Sequence, residues 1–179
     1  MKIPTLTTAR LNLRPFTTSD VDPLHRILTV GDVLRYYPTP DPPARDRVER
    51  LIAHQLKQWE EHGYGWWAAE FRENGALIGW NGLQYLPETE ETEVGYLLAR
   101  GFWGQGLATE GAWASVQYGF ERLGLQTIIG ITHPDNIASQ RVLTKLGMSL
   151  TGPAHYFGMD CLHFAVDRAS FEQAQPRES

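Results

Sequence analysis

Residues Tyr96 to Glu110 read YLLARGFWGQGLATE, an apolar strand, a glycine-bearing turn and the start of a helix. Gly104 and Gly106 carry no Cβ that would keep a ligand off the main chain. Leu107, Ala108 and Thr109 then open a helix whose first N–H groups have no intrahelical partner. Those donors and the positive end of the helix dipole attract an anion, so the run reads as a backbone cradle for phosphate. A plain strand-to-helix turn would also carry glycine, but two glycines at alternate positions straight after an apolar strand favour the cradle.

The spacing argues against two common phosphate ligands. A dinucleotide fingerprint needs a third glycine or alanine where Thr109 stands, and an acid roughly 20 residues on; around Gln126 and Thr127 there is no carboxylate. The chain also contains no Gly-x-x-x-x-Gly-Lys-Ser/Thr segment, so an ATP-type loop is not supported.

A second segment follows the strand-like TIIGITHP. It runs Asn136-Ile-Ala-Ser139, then Gln140 to Met148, with Asn136 suited to an N-cap and Gly147 to a helix end. Together with the first, this segment resembles the acetyl-CoA-binding core of the GNAT N-acetyltransferase superfamily. Trp103-Gly104-Gln105-Gly106-Leu107-Ala108 matches the family's hexad, whose first position is commonly Gln or Arg. Arg10-Leu-x-Leu-Arg14, Ile78-Gly79-x-x-Gly82-Leu83, Glu93-Val-Gly-Tyr96 and Asn-x-x-Ser…Lys-x-Gly-Met match in order, from about Leu6 to Arg168. The subgroup it is most similar to is that of the ribosomal-protein N-terminal acetyltransferases.

What the resemblance implies is a direct transfer of acetyl from acetyl-CoA to a primary amine, without a metal. Coenzyme A would lay its pyrophosphate on the amides of residues 104–109 and run its pantetheine beside Leu97, Leu98 and Ala99. A backbone N–H near Tyr96 to Leu98 would polarise the acetyl carbonyl. Trp103, Gln105, Asn136 and Ser139 complete the implied cofactor contacts. Many members place a tyrosine where this chain has Leu143, so Ser139 becomes the implied partner of the leaving thiolate; an ordinary first-turn hydroxyl is the competing account. Glu93 is the implied base, set against a solvated strand-end acid among Glu88, Glu90 and Glu91. His133 and His155, with pKa values nearer neutrality, are rival bases. A coenzyme A-binding sensor or partner protein without catalysis is the alternative function. The acceptor stays open: a protein N-terminus, another peptide, an amino acid, a polyamine or an antibiotic amine. Dimers are common in the family.

The elements that must position these residues are legible in outline. Strands are expected at Arg10–Phe16, Trp66–Phe71, Leu77–Tyr85 and Glu93–Ala99, with Asn74-Gly75 turning the second into the third. Helices are expected to carry Val21, Leu24, Ile27 and Leu28 after the capping residues Thr17, Thr18 and Asp20, and to run from about Ala44 to His62, from Leu107 to Leu123 and from Asn136 to Leu146. A strand at Gln126–His133 and a closing pair at Met148–Tyr156 and Cys161–Arg168 complete a βααβββαβαββ order. The expectation is therefore an α/β fold, a mixed, mostly antiparallel sheet flanked by about four helices, with a polar frayed tail from Gln173. Trp66, Trp67 and Trp80 read as core, with one of them available to line an acceptor pocket; His62 reads as structural.

Composition agrees with one enzyme-sized domain over 1–179. The chain has 179 residues, 42% of them hydrophobic and 21% charged, as in ordinary globular proteins. Its net charge of −5 argues against a nucleic-acid surface. One cysteine excludes an internal disulfide. No leader-like apolar region or membrane-length run is present, so a cytoplasmic location is the default expectation.

Overall fold

The computed structural model describes residues 2–174. One sheet of eight strands organises them: β1 (Leu6–Thr7), β2 (Leu11–Arg14), β3 (Trp66–Phe71), β4 (Ala76–Leu86), β5 (Glu91–Leu98), β6 (Thr127–Thr132), β7 (Ser149–Tyr156) and β8 (Met159–Asp167). Their order across the sheet is β1-β2-β3-β4-β5-β6-β8-β7. Every neighbouring pair is antiparallel except β5 and β6. The helices are α1 (Val21–Thr29), α2 (Arg45–His62), α3 (Leu107–Glu121), α4 (Ile137–Lys145) and α5 (Arg168–Ala174). Among the described residues, no helix is long and apolar enough to cross a membrane.

Alternation along the strands divides the interior in two. Ala68, Trp80 and Leu97 pack with Val21, Leu24 and Leu28 of α1 and with Val48 and Ile52 of α2. Trp67, Ile78, Leu83, Val94 and Leu98 pack with Leu107, Ala112, Val116 and Phe120 of α3 and with Leu143 beyond it. Trp59, from the end of α2, reaches this second core and meets Trp67 at 4.7 Å between ring centroids. Trp59, Trp67 and Trp80 are all fully buried, and truncating any one to alanine costs roughly 3–5 kcal/mol. The two glycines inside α3 have the packing reason that an interior helical glycine needs. A Cβ at Gly111 would lie 2.5 Å from Asn81 Nδ2, and one at Gly119 2.7 Å from Ile128 Cδ1.

The sheet is continuous except at one joint. β5 and β6 share a single registered pair, Glu93 with Ile129. Beyond it the two strands diverge, leaving a gap that α3 and α4 approach from one face and the segment after α1 from the other. That gap holds the candidate site.

Three elements depart from expectation. A fifth helix, α5, stands where four were expected; its sequence RASFEQA offers one apolar anchor, Phe171, which is buried and stacks on Trp113 at 4.3 Å. The two-residue β1 is too short to leave a periodic signal. β5 begins at Glu91 rather than Glu93, because β4 continues to Leu86 and pairs it with Glu91. The expected fraying from Gln173 is not seen at Gln173 or Ala174, which close α5; the rest of that tail lies outside the described residues.

Candidate active site

The cradle forms where β5 gives way to α3. After Leu98 a short 3₁₀ turn covers Arg100–Phe102, and residues 103–106 lead into the helix. Gly104 has φ +71° and Gly106 φ +79°, a left-handed conformation that costs other L-residues roughly 1–2 kcal/mol. No heavy atom lies within 4 Å of a Cβ built on Gly104, so conformation and open approach select glycine there. Among the described residues the amides of Leu107, Ala108 and Thr109 have no backbone partner, which leaves three donors for an anion. Trp103, Gly104, Gly106, Leu107, Ala108 and Thr109 line a cavity of about 680 Å³ that fills the gap. The cavity has the size of a cofactor site.

Gln105 does not join them. Its side-chain amide donates back to the Gly101 carbonyl at 2.9 Å, and its own carbonyl accepts from Arg10. Ala99 is also turned away, because its N–H donates to Ile78 O at 2.7 Å across the β4–β5 ladder. Backbone groups in an antiparallel pair alternate between facing the partner and facing away, so Leu97 shares the orientation of Ala99. The carbonyls of Tyr96 and Leu98 face the other way: Tyr37 Oη donates to Tyr96 O at 3.3 Å and Trp103 Nε1 to Leu98 O at 2.6 Å. Of the three strand residues expected to pair with pantetheine, Leu98 alone turns its backbone into the gap, with Tyr96 beside it.

On the α3–α4 face, Asn136 caps α4 by accepting the Ser139 N–H at 3.1 Å. The Ser139 hydroxyl lies 2.8 Å from Tyr96 Oη, which is also 3.2 Å from the Ser139 carbonyl. Burial, with the Glu93 charge nearby, pushes the Tyr96 phenol well above its usual range although the bond to Ser139 pulls the other way, so it holds its proton at every working pH. Asn136, Ser139 and Tyr96 all line the cavity.

Glu93 belongs to the opposite face. It is 7% exposed, two residues inside β5, and not the solvated strand-end acid that its sequence neighbours suggested. Gln84, its cross-strand partner, donates Nε2–H to Glu93 Oε2 at 2.6 Å. Burial pushes the carboxyl up to about 7, although the Gln84 side chain and the Ile131 amide pull it down. Trp66 stacks on Trp80 at 4.9 Å and, with Tyr37, lines the cavity on this side. Of the three tryptophans read as core, Trp66 is therefore the one shared with the pocket.

The rival bases separate cleanly. His155 is exposed on β7, pairs with Asp160 at 3.0 Å and does not line the cavity. His133 does line it, stacked on Tyr36 at 5.4 Å, but its Nδ1 accepts the Asp135 N–H at 3.1 Å. His62 packs against Tyr85 at 4.4 Å, the structural place expected of it. Cys161 is buried with its thiol pushed up by burial, unsuited to attack. Gln84 and Tyr37 are the site residues that the sequence did not single out, and the Tyr96 hydroxyl, as distinct from its backbone, is the third such group.

A strand gap with a glycine cradle at one end is specific enough to compare with known proteins. A family model described as the acetyltransferase (GNAT) domain matches residues 10–149. The chain belongs to the GNAT acetyltransferase family. It is accordingly an N-acetyltransferase with acetyl-CoA as co-substrate. This GNAT chain is 31% identical over 150 residues to the uncharacterized N-acetyltransferase YoaA of Bacillus subtilis, covering 83% of itself and 85% of that protein. It is 35% identical over 160 residues to the FsC-acetyl coenzyme A-N(2)-transacetylase of Aspergillus fumigatus, covering 82% of itself and 65% of the relative. A solved acetyltransferase from Agrobacterium tumefaciens superposes with a TM-score of 0.83 at 28% identity, over 94% of this chain and 96% of that one.

Proposed function

We propose that this chain moves the acetyl group of acetyl-CoA directly to a primary amine that enters from the α1–α2 face. The observation that carries the reading is Glu93, a buried carboxylate with a near-neutral pKa in the cavity wall, with the Ser139–Tyr96 hydroxyl pair on the other face of the same strand. Acetyl-CoA supplies the activated thioester carbonyl. The amides at the start of α3 and the left-handed turn before it bind the pyrophosphate. The Leu98 and Tyr96 main chain faces the pantetheine and the acyl oxygen.

Glu93 does the first proton work. An ammonium has no lone pair with which to attack, so its proton must leave first. A carboxylate poised near neutrality accepts that proton and can release it again at working pH. As the C–S bond breaks, Ser139 Oγ gives a proton to the departing sulfur and Tyr96 Oη replaces it along a 2.8 Å contact; the second proton, lost by nitrogen as the amide forms, returns to the hydroxyl pair by way of solvent. Trp66 and Tyr37 make the acceptor wall largely apolar around the buried Glu93 carboxyl, the other lining carboxylate, Asp32, being paired with Arg35 and Arg100; this suits an amine carried on a partly apolar body. A ribosomal-protein N-terminus, one of the acceptors that the sequence leaves open, fits this description. So does a small-molecule amine; the relative named for N(2)-transacetylation also supports a nitrogen acceptor.

The test is thiol release from acetyl-CoA against a panel of peptide N-termini, amino acids, polyamines and antibiotic amines. At least one amine should accelerate release well above the amine-free rate, and mass spectrometry should find it acetylated. Tight coenzyme A binding with no amine-dependent release anywhere on the panel would instead make the chain a sensor or partner protein.

A further inference from the structure

Arg10 precedes β2, yet its guanidinium is built into the glycine turn. Its Nη1 donates to the Gln105 carbonyl at 2.9 Å and its Nε to Glu110 Oε2 at 2.7 Å. Its backbone N–H donates to Glu110 Oε1 at 2.7 Å, and the Thr8 hydroxyl donates to the same oxygen at 2.6 Å. Nη2 stands against the outer side of the turn, where a Cβ on Gly106 would lie 3.6 Å away.

Two consequences follow from elementary geometry and charge. A trans peptide is planar, with its C=O and N–H on opposite sides. Holding the Gln105 carbonyl outward, toward Arg10, therefore turns the Gly106 N–H inward, toward the cavity that Gly106 lines. Glu110, meanwhile, sits in the first turn of α3. Free, its carboxylate would repel the anion that this helix end is built to receive. Here both oxygens are occupied. Burial alone would push the carboxyl up, but the Thr8 hydroxyl and the Arg10 amide and guanidinium outweigh it and hold the group ionised.

We propose that Arg10 is a positioning residue for the pyrophosphate of coenzyme A: it sets the Gln105–Gly106 peptide so that the Gly106 amide faces the phosphate, and it neutralises Glu110 beneath the cradle. The proposal rests on the cradle reading. It assigns a role at the cofactor site to the opening segment of the chain, whose motif otherwise serves only the sheet. Lysine cannot replace arginine fully, because an ammonium lacks the planar fork that joins Gln105 to Glu110.

The experiment is calorimetric titration of wild type, Arg10→Gln, Arg10→Lys and Thr8→Val with coenzyme A and with pantetheine, which has no pyrophosphate. Arg10→Gln should weaken coenzyme A binding about tenfold, the size expected for a lost charge-assisted hydrogen bond and an exposed carboxylate. Its pantetheine affinity should stay within about twofold, and KM for acetyl-CoA should rise while kcat at saturation holds. Arg10→Lys should lose part of the affinity, and serves alone if the glutamine variant does not fold. Thr8→Val, which touches Glu110 but not Gln105, should bind coenzyme A like wild type. Unchanged coenzyme A affinity in both Arg10 variants would overturn the proposal. So would equal losses for coenzyme A and pantetheine, which would mean a loosened sheet. A wild type that binds the two ligands equally would sink the cradle itself, a separate result.

Discussion

The two faces of β5 offer different materials to the cavity. Toward α3 and α4 the strand presents Val94, Tyr96 and Leu98, next to a turn whose chemistry is backbone amides and neutral hydroxyls. Toward α1 and α2 it presents Glu93, Gly95 and Leu97, among stacked tryptophans, with Glu93 buried in the wall and Asp32, ion-paired to Arg35 and Arg100, also lining the cavity. On the proposed reading the first face would bind without titrating: an amide or a high-pKa phenol donates at any working pH. The second is built to titrate, and its Glu93 carboxyl is costly to ionise where it sits. Cofactor binding on this account is insensitive to pH near neutrality, and turnover is sensitive to it.

The largest expected effect breaks the titrating face. Glu93→Gln keeps the shape and removes the proton acceptor, so kcat should fall about 10²-fold or more, the usual contribution of a general base, with coenzyme A affinity unchanged by calorimetry. On the binding face, Gly106→Val should lower coenzyme A affinity by roughly an order of magnitude or more, because a β-branched residue resists φ +79° and its side chain would press on Arg10 Nη2, 3.6 Å from a Cβ there, and displace the turn. Circular dichroism should show the fold retained. Ser139→Ala should reduce kcat roughly tenfold, less than a full general acid, since Tyr96 can supply the proton in its place. Its dissociation constant for acetyl-CoA should hold, and Ser139→Ala with Tyr96→Phe should lose more than either alone.

The smallest effect is one of stability and has the opposite sign. Burial raises the folded-state Glu93 pKa from 4.5 to about 7. The folded chain therefore binds a proton that the unfolded chain releases between those values, and stability falls as pH rises through that window. Above it, ionised Glu93 costs on the order of 3 kcal/mol. Glu93→Gln should be more stable than wild type in urea at pH 8, with the gap closing toward pH 4.5.

The same contrast explains what could be read from the chain. The glycine turn and the helix start after it were legible because they are local: neighbours in sequence are neighbours in space. Asn136 as a cap was legible for the same reason. Gln105 and Ala99 do not line the cavity, because residue type does not fix direction; one side-chain amide folds back on Gly101 and one N–H is spent on Ile78. Glu93 was placed at the strand's start because its acidic neighbours look like a surface turn. Its burial comes from the Gln84–Glu93 register and the Ile129 pairing, which join distant segments. Tyr37 and Trp66 reach the pocket by the same long-range route. α5 was missed because Phe171 alone carries its apolar face.

The central claim is that Glu93 is the base on the acceptor face, and the pH dependence of kcat/KM for the amine tests it most directly. With the most reactive amine of the panel, wild type should lose activity as pH falls, along an acidic limb centred near 7, the value to which burial pushes the Glu93 carboxyl. Glu93→Gln should be slow throughout and lack that limb. A Glu93→Gln variant with wild-type turnover and the same limb would contradict the account and pass the role to His133.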